Sequence, residues 1–137
     1  MSPIIVYVTG SFDMFHVGHV NLLKRAKSMG DVLIVGVGTD ELIRASKGKD
    51  PIVKFEDRVA VVEACKYVDC VIPEVSMDKK DIIAKIQPNV FVVGDDWWER
   101  KVTSDQDMRD AGIRVIYMPY TKGISSTSLR SVIENKQ

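Results

Sequence analysis

The chain has 137 residues, 45% of them apolar and 28% charged, as expected for one globular domain with its own core. Its 19 basic and 19 acidic side chains cancel, so it lacks the basic excess expected of a nucleic-acid or membrane-surface binder. No apolar stretch approaches the roughly 20 residues that cross a bilayer, and the first residues lack a signal peptide's basic start, so a cytoplasmic protein is expected.

The first apolar run, Ile4–Val8, reads as a strand, and the turn Thr9-Gly10-Ser11-Phe12-Asp13 follows it. A helix is expected over Val20–Met29, stopped by Gly30 and Asp31. Val32–Val37 is a second strand, and Gly36–Lys54 reads as a long polar loop before a helix over Phe55–Tyr67. Cys70–Ile72 is a third strand, and Ser76 can cap a helix that starts near Met77 and runs through Asp78–Ile86. Strands at Val90–Val93 and Val115–Tyr117 and a closing helix at Ser128–Glu134 complete the pattern. Strand–helix alternation with nearly continuous apolar strands predicts a parallel sheet buried on both faces. The expected fold is α/β: one Rossmann-like doubly wound domain over residues 1–137, with a five-stranded parallel sheet and helices on both faces. Cys65 and Cys70 lack a CxxC spacing and read as buried free thiols in a reducing compartment.

Sheets of this kind bind ligands beyond the carboxyl ends of their strands. The loops expected there, Thr9–His19, Gly36–Lys54, Gly94–Lys101 and Pro119–Thr127, carry most of the Gly, Asp, Lys, His, Ser and Thr. Both histidines of the chain, His16 and His19, stand where the first strand turns into a helix, three residues apart and so on one helical face. A helix start offers unpaired N–H groups and partial positive charge, so imidazoles added there make a phosphate-handling site. The bland alternative is one surface and one core histidine. A metal reading with Asp13 lacks further ligands nearby, and no GxSxG elbow supports a hydrolase. Tyr120-Thr121-Lys122-Gly123-Ile124-Ser125-Ser126-Thr127 offers either a second phosphate-receptive helix start or an ordinary Ser/Thr cap. Lys47 and Lys49 flank Gly48 and suit a closing lid as well as solvated loop charge. Trp97 and Trp98 suit either an acceptor pocket or packing. Gly36-Val37-Gly38 does not complete a dinucleotide fingerprint, which argues against an oxidoreductase. Val59, Val62, Cys65 and Tyr67 read as core.

Gly10-Ser11-Phe12-Asp13-Met14-Phe15-His16-Val17-Gly18-His19 resembles the GxFDxxHxGH signature of the cytidylyltransferase-like nucleotidyltransferases, and Gly123–Thr127 resembles the second signature, RTEGIST[TS], of their cytidylyltransferase branch. Thr39-Asp40-Glu41, Glu56-Asp57-Arg58, Lys66–Asp69 and Gly94–Trp97 match between them, so the likeness covers nearly the whole chain and is nearest the branch that uses glycerol 3-phosphate. The resemblance implies transfer of CMP from CTP to a small phosphorylated alcohol with Mg²⁺, giving a CDP-alcohol such as CDP-glycerol and pyrophosphate, in a homodimer. It assigns His16, His19 and Lys47 to catalysis. Gly10, Ser11, Phe12, Asp13, Gly94, Asp95, Thr121, Gly123, Ile124, Ser125, Ser126 and Thr127 are assigned to the nucleotide, and Asp40, Arg58, Lys66 and Trp97 to the acceptor. It assigns no protein metal ligand. Tyr120 stands where the family has Arg, and Lys122 where it has Glu, a swap that touches a phosphate-binding position. Other acceptors, phosphonates included, transfer from ATP, or a non-catalytic nucleotide-binding regulator are the alternatives.

Overall fold

The computed structural model describes residues 2–94, 105–119 and 132–134. Five strands, β1 (Ile5–Gly10), β2 (Val32–Gly38), β3 (Cys70–Glu74), β4 (Val90–Gly94) and β5 (Arg114–Met118), form one parallel sheet in the order β3-β2-β1-β4-β5. The helices are α1 (Val17–Lys27), α2 (Asp40–Lys47), α3 (Phe55–Glu63), α4 (Lys80–Ile86) and α5 (Asp105–Asp110), and residues 132–134 are helical.

The period-two geometry of a strand sends alternate side chains to opposite faces, and each face here has its own core. Val6, Val8, Leu33, Val35, Val90 and Val92 pack with Leu23 and Ala26 of α1 and Val62 of α3. Tyr7, Phe91 and Val93 pack on the other face with Met108 of α5, Ile113, and the half-buried Ile82, Ile83 and Ile86 of α4. Helices on both faces make the domain doubly wound, as the strand pattern predicted. Val59, Cys65 and Tyr67 pack against the first of these cores, so that stripe is core.

Strand order runs outward from β1 in two directions: β2 and β3 lie on one side, β4 and β5 on the other. The reversal falls between β1 and β4, and the crevice there opens beside Gly10 and Gly94, the last residues of those strands.

Several boundaries differ from expectation. Helix α1 starts at Val17, three residues early, because His16 caps it. Helix α3 ends at Glu63 rather than Tyr67. Ser76 Oγ accepts from the Asp78 N–H, yet helix α4 begins only at Lys80. The expected loop Gly36–Lys54 contains helix α2, and α5 was not expected at all. The segment giving α2 carries a full punctuation set: Thr39 caps Leu42 N–H, Asp40 and Glu41 fill the first turn, Arg44 and Lys47 the last, and Gly48 closes it at φ 77°. Only Leu42 and Ile43 of this helix are buried, too short an apolar stripe to show a helical period. Cys65 and Cys70 are free, but Cys70 is exposed at the start of edge strand β3 and Cys65 is half-buried, a correction to the reading of two buried thiols. Among the described residues no helix is long and apolar enough to cross a membrane.

Candidate functional site

The turn from β1 into α1 is strained. Phe12 and Met14 take φ of 53° and 49°, left-handed backbone that a side chain disfavours and that concentrates at ligand sites. Phe12 is buried and acts as a wedge, with its ring 6.4 Å from Phe15 and 5.3 Å from His19.

His16 then serves as the cap of α1. Its Nδ1 accepts from the Gly18 N–H at 3.0 Å, while His19 Nδ1 accepts from the His16 N–H at 3.1 Å. Two histidines thus build the reciprocal capping box that Ser or Thr and Glu or Gln ordinarily build. Their rings lie 4.0 Å apart. An Nδ1 that accepts a backbone hydrogen bond carries no proton, so both imidazoles are neutral with the proton on Nε2. Burial agrees: it lowers the pKa of His16, and burial together with His16 takes His19 to about 3, against a smaller upward pull from Asp13. The first turn of α1 holds no acidic side chain to offset the helix dipole. The result is a fixed set of donors, backbone N–H groups and two Nε2–H, suited to an anion.

Behind this turn lies a clasp. Asp13, expected to face the nucleotide, is buried, and its carboxylate accepts from Ile52 N–H and Val53 N–H, both at 2.9 Å. Arg58 was assigned to the acceptor, but its guanidinium is buried and faces inward. Nη1 donates to the carbonyls of Ser11 and Gly38 at 2.7 Å each, Nε to that of Val53 at 2.8 Å, and Nη2 to Asp40 at 2.7 Å. Asp40 also accepts from Phe55 N–H at 3.3 Å, capping α3, whose own cap residue Lys54 contributes no side-chain bond. Arg58 and Asp40 therefore hold the site's loops together; Arg58, with no exposed side-chain surface, is not open to an acceptor, a correction to its assigned role, while Asp40 keeps part of its carboxylate exposed. The physical reason is that three converging loop carbonyls need a buried donor fork, which only arginine supplies.

The remaining expectations are distributed along the sheet's two edges. Ser11 follows Gly10 in the turn, and Gly94 ends the neighbouring strand. Lys47 is the half-buried last residue of α2, on a helix rather than in a loop. Lys66 is exposed, 5.2 Å above its neighbour Tyr67, between α3 and the start of β3. It lies at the opposite sheet edge from the histidines, so this chain does not bring it to their site. Asp95, Trp97, Tyr120, Thr121, Gly123, Ile124, Ser125, Ser126 and Thr127 lie outside the described residues. Sequence reasoning missed the buried group Tyr7, Thr9, Glu74 and Lys79; a tyrosine in an otherwise aliphatic strand was its one signal. Among the described residues no three His, Cys, Asp or Glu cluster to hold a metal. The carboxylates of Asp13 and Asp40 are engaged by N–H and guanidinium donors, so the described residues do not fit a resident Mg²⁺.

Comparison with known proteins gives this geometry its context. Residues 7–132 match the family model described as cytidylyltransferase-like. The chain is 41% identical over 134 residues to the glycerol-3-phosphate cytidylyltransferase of Bacillus subtilis (strain 168), covering 97% of this chain and 98% of that one. It is 38% identical over 137 residues to the protein of the same name from Staphylococcus aureus (strain NCTC 8325 / PS 47), covering 99% and 98%. Among solved structures, the lipopolysaccharide core biosynthesis protein from Thermoplasma volcanium GSS1 superposes with a TM-score of 0.72 at 30% identity, over 90% of this chain and 100% of that one.

Proposed function

The chain belongs to the cytidylyltransferase-like family, and from that premise we propose that it transfers CMP from CTP to glycerol 3-phosphate, giving CDP-glycerol and pyrophosphate. The observation that carries the proposal is the two-histidine capping box at the head of α1, beside the crevice between β1 and β4. Full-length similarity to two glycerol-3-phosphate cytidylyltransferases supports the choice of substrates.

A phosphomonoester's second pKa is near ~6, so at neutral pH the acceptor is already an anionic nucleophile and needs no general base. That suits a site whose two imidazoles have their Nδ1 atoms committed to backbone N–H groups. An acceptor phosphate oxygen attacks the α-phosphorus of CTP. The new P–O bond forms as the bond to the β-phosphate oxygen breaks, and pyrophosphate leaves with that electron pair. Charge grows on the α-phosphoryl oxygens and on the leaving pyrophosphate. The Nε2–H groups of His16 and His19 and the N–H groups of α1 stabilise it, with no reorganisation at the moment of reaction. Lys47 adds a cation from the end of α2. Mg²⁺ would come with the nucleotide rather than with a protein site, and would add positive charge against the phosphates. A cytoplasmic homodimer is part of the same proposal.

The test is pyrophosphate release with CTP, ATP, GTP or UTP against a panel of phosphorylated alcohols and phosphonates. Turnover confined to CTP with glycerol 3-phosphate is expected. Turnover with ATP, or only with another acceptor, overturns the substrate assignment, and CTP binding without turnover on any acceptor overturns the enzymatic one.

A further inference from the structure

Beneath the rim of the site, on the face covered by α4 and α5, lies a fully buried polar cluster. Glu74, at the end of β3, is 2% exposed, and Tyr7, Thr9 and Lys79 are 0%, 1% and 0% exposed. Glu74 Oε2 accepts from the Tyr7 hydroxyl and, at 3.2 Å, from Thr9 Oγ1. Its Oε1 accepts from Lys79 Nζ at 2.5 Å. To reach Glu74 the Tyr7 phenol crosses β2 at Gly36, where a Cβ would run into the phenol oxygen and fall 2.8 Å from Glu74 Oε2.

A buried ion pair is poor value as a stabiliser, because desolvation cancels most of its attraction and apolar replacements often do as well. The position of this one suggests another role. The Glu74 side chain grips β1 at Tyr7 and Thr9, and Thr9 directly precedes the Gly10–His19 turn. The Glu74 backbone carbonyl accepts from Thr39 N–H at 3.1 Å, and Thr39 caps α2, the helix of Asp40 and Lys47. One residue therefore ties the strand end that carries the phosphate-binding turn to helix α2, which follows the neighbouring strand β2. The clasp at Arg58 joins the same elements from above, through Ser11, Gly38 and Asp40.

We propose that Glu74, held by the Tyr7 hydroxyl, is a positioning residue for nucleotidyl transfer: it fixes the phosphate-binding turn after β1 relative to helix α2. The proposal rests on the transferase reading above. His16 and His19 stand on the turn and Lys47 on α2, and in-line attack depends on how these groups are set against one another. A misplacement of about 1 Å can cost roughly 100-fold in rate. Loosening the cluster therefore lowers kcat while leaving both KM values nearly unchanged.

Tyr7→Phe is the mild test, since it keeps the ring stacked on Phe91 and removes only the hydroxyl. Glu74→Gln is the severe one, leaving the Lys79 ammonium buried without a counter-charge. Initial rates with varied CTP and varied glycerol 3-phosphate are measured on folded protein, with the thermal midpoint recorded beside them. The expected result for Tyr7→Phe is a kcat about tenfold lower, KM values within twofold, and a cooperative melt. A kcat equal to the parent's, or a loss confined to the melting temperature, overturns the positioning role. So does a rise in KM alone. A parent protein that binds CTP but turns over none overturns the transferase reading, and the positioning role with it.

Discussion

His16 caps a helix, and the proposed function gives it a second job at the phosphates; substitutions can separate the two. His16→Asn keeps a cap oxygen for the Gly18 N–H but loses the Nε2–H donor. The expected outcome is a melting temperature within a few degrees of the parent and turnover reduced roughly 100- to 1,000-fold, the usual cost of an oxyanion donor. His16→Ala loses both, so it should also lose about 1 kcal/mol of stability; thermal melts beside pyrophosphate release check both variants. His19→Gln likewise keeps a capping-box side chain at the third helical position and should abolish most turnover. It carries a pH signature too. Folded His19 titrates near 3 and the unfolded residue near 6.5, so between those values only the unfolded chain takes up that proton. Stability therefore declines as pH falls below 6.5, and is unaffected by this group above it. In melts at pH 7.5, 6 and 4.5 the midpoint of His19→Gln should gain on that of the parent as pH falls, because the variant lacks that loss; a constant difference would disprove the assignment. That both histidines stand together at a helix start could be read from their place between an apolar strand and a helical run. Their tautomer could not, because it depends on backbone N–H directions that exist only once the turn has folded.

At the scale of elements, strands were legible and rim structure was not. The central strands β1, β2 and β4, buried on both faces, advertise themselves as unbroken apolar runs, and the half-exposed edge strands β3 and β5 still show where Val and Ile cluster. Helix α2 buries only Leu42 and Ile43 and is recognisable by its caps alone. Arg58 was misassigned for a related reason: an arginine in a charged stretch looks solvated until three carbonyls from distant loops converge on it. Those carbonyls belong to Ser11, Gly38 and Val53, up to 47 residues away in sequence. Arg58→Lys cannot reproduce the fork, and it leaves buried acceptors and Asp40 short of donors. The expected loss is about 3 kcal/mol, or roughly 10 °C in melting temperature for a chain of this size. Residual activity of the folded fraction should fall as well, because α2, α3 and the histidine turn lose their common anchor. An Arg58→Lys protein that melts like the parent would remove the clasp from this account.

Over the whole molecule, the two halves of the sheet meet at one crevice, and the proposed transfer brings both substrates together there. Neither histidine is placed to carry the cytidylyl group. His16 and His19 are the nearest bases, and each has its Nδ1 occupied by a backbone N–H and its Nε2 protonated. A protonated nitrogen has no lone pair with which to attack phosphorus, so the neutral, capped imidazoles are donors and not nucleophiles. The route expected with donors alone at this turn is a single displacement between the two bound substrates. It predicts no exchange of labelled pyrophosphate into CTP until CDP-glycerol is present, and inversion of configuration at an α-thio-substituted phosphorus. Exchange with CTP and pyrophosphate alone, or retention at phosphorus, would require a covalent cytidylyl-enzyme. A histidine would then have to release its cap before attacking, and the helix start that makes this turn an anion site would have to open in every turnover.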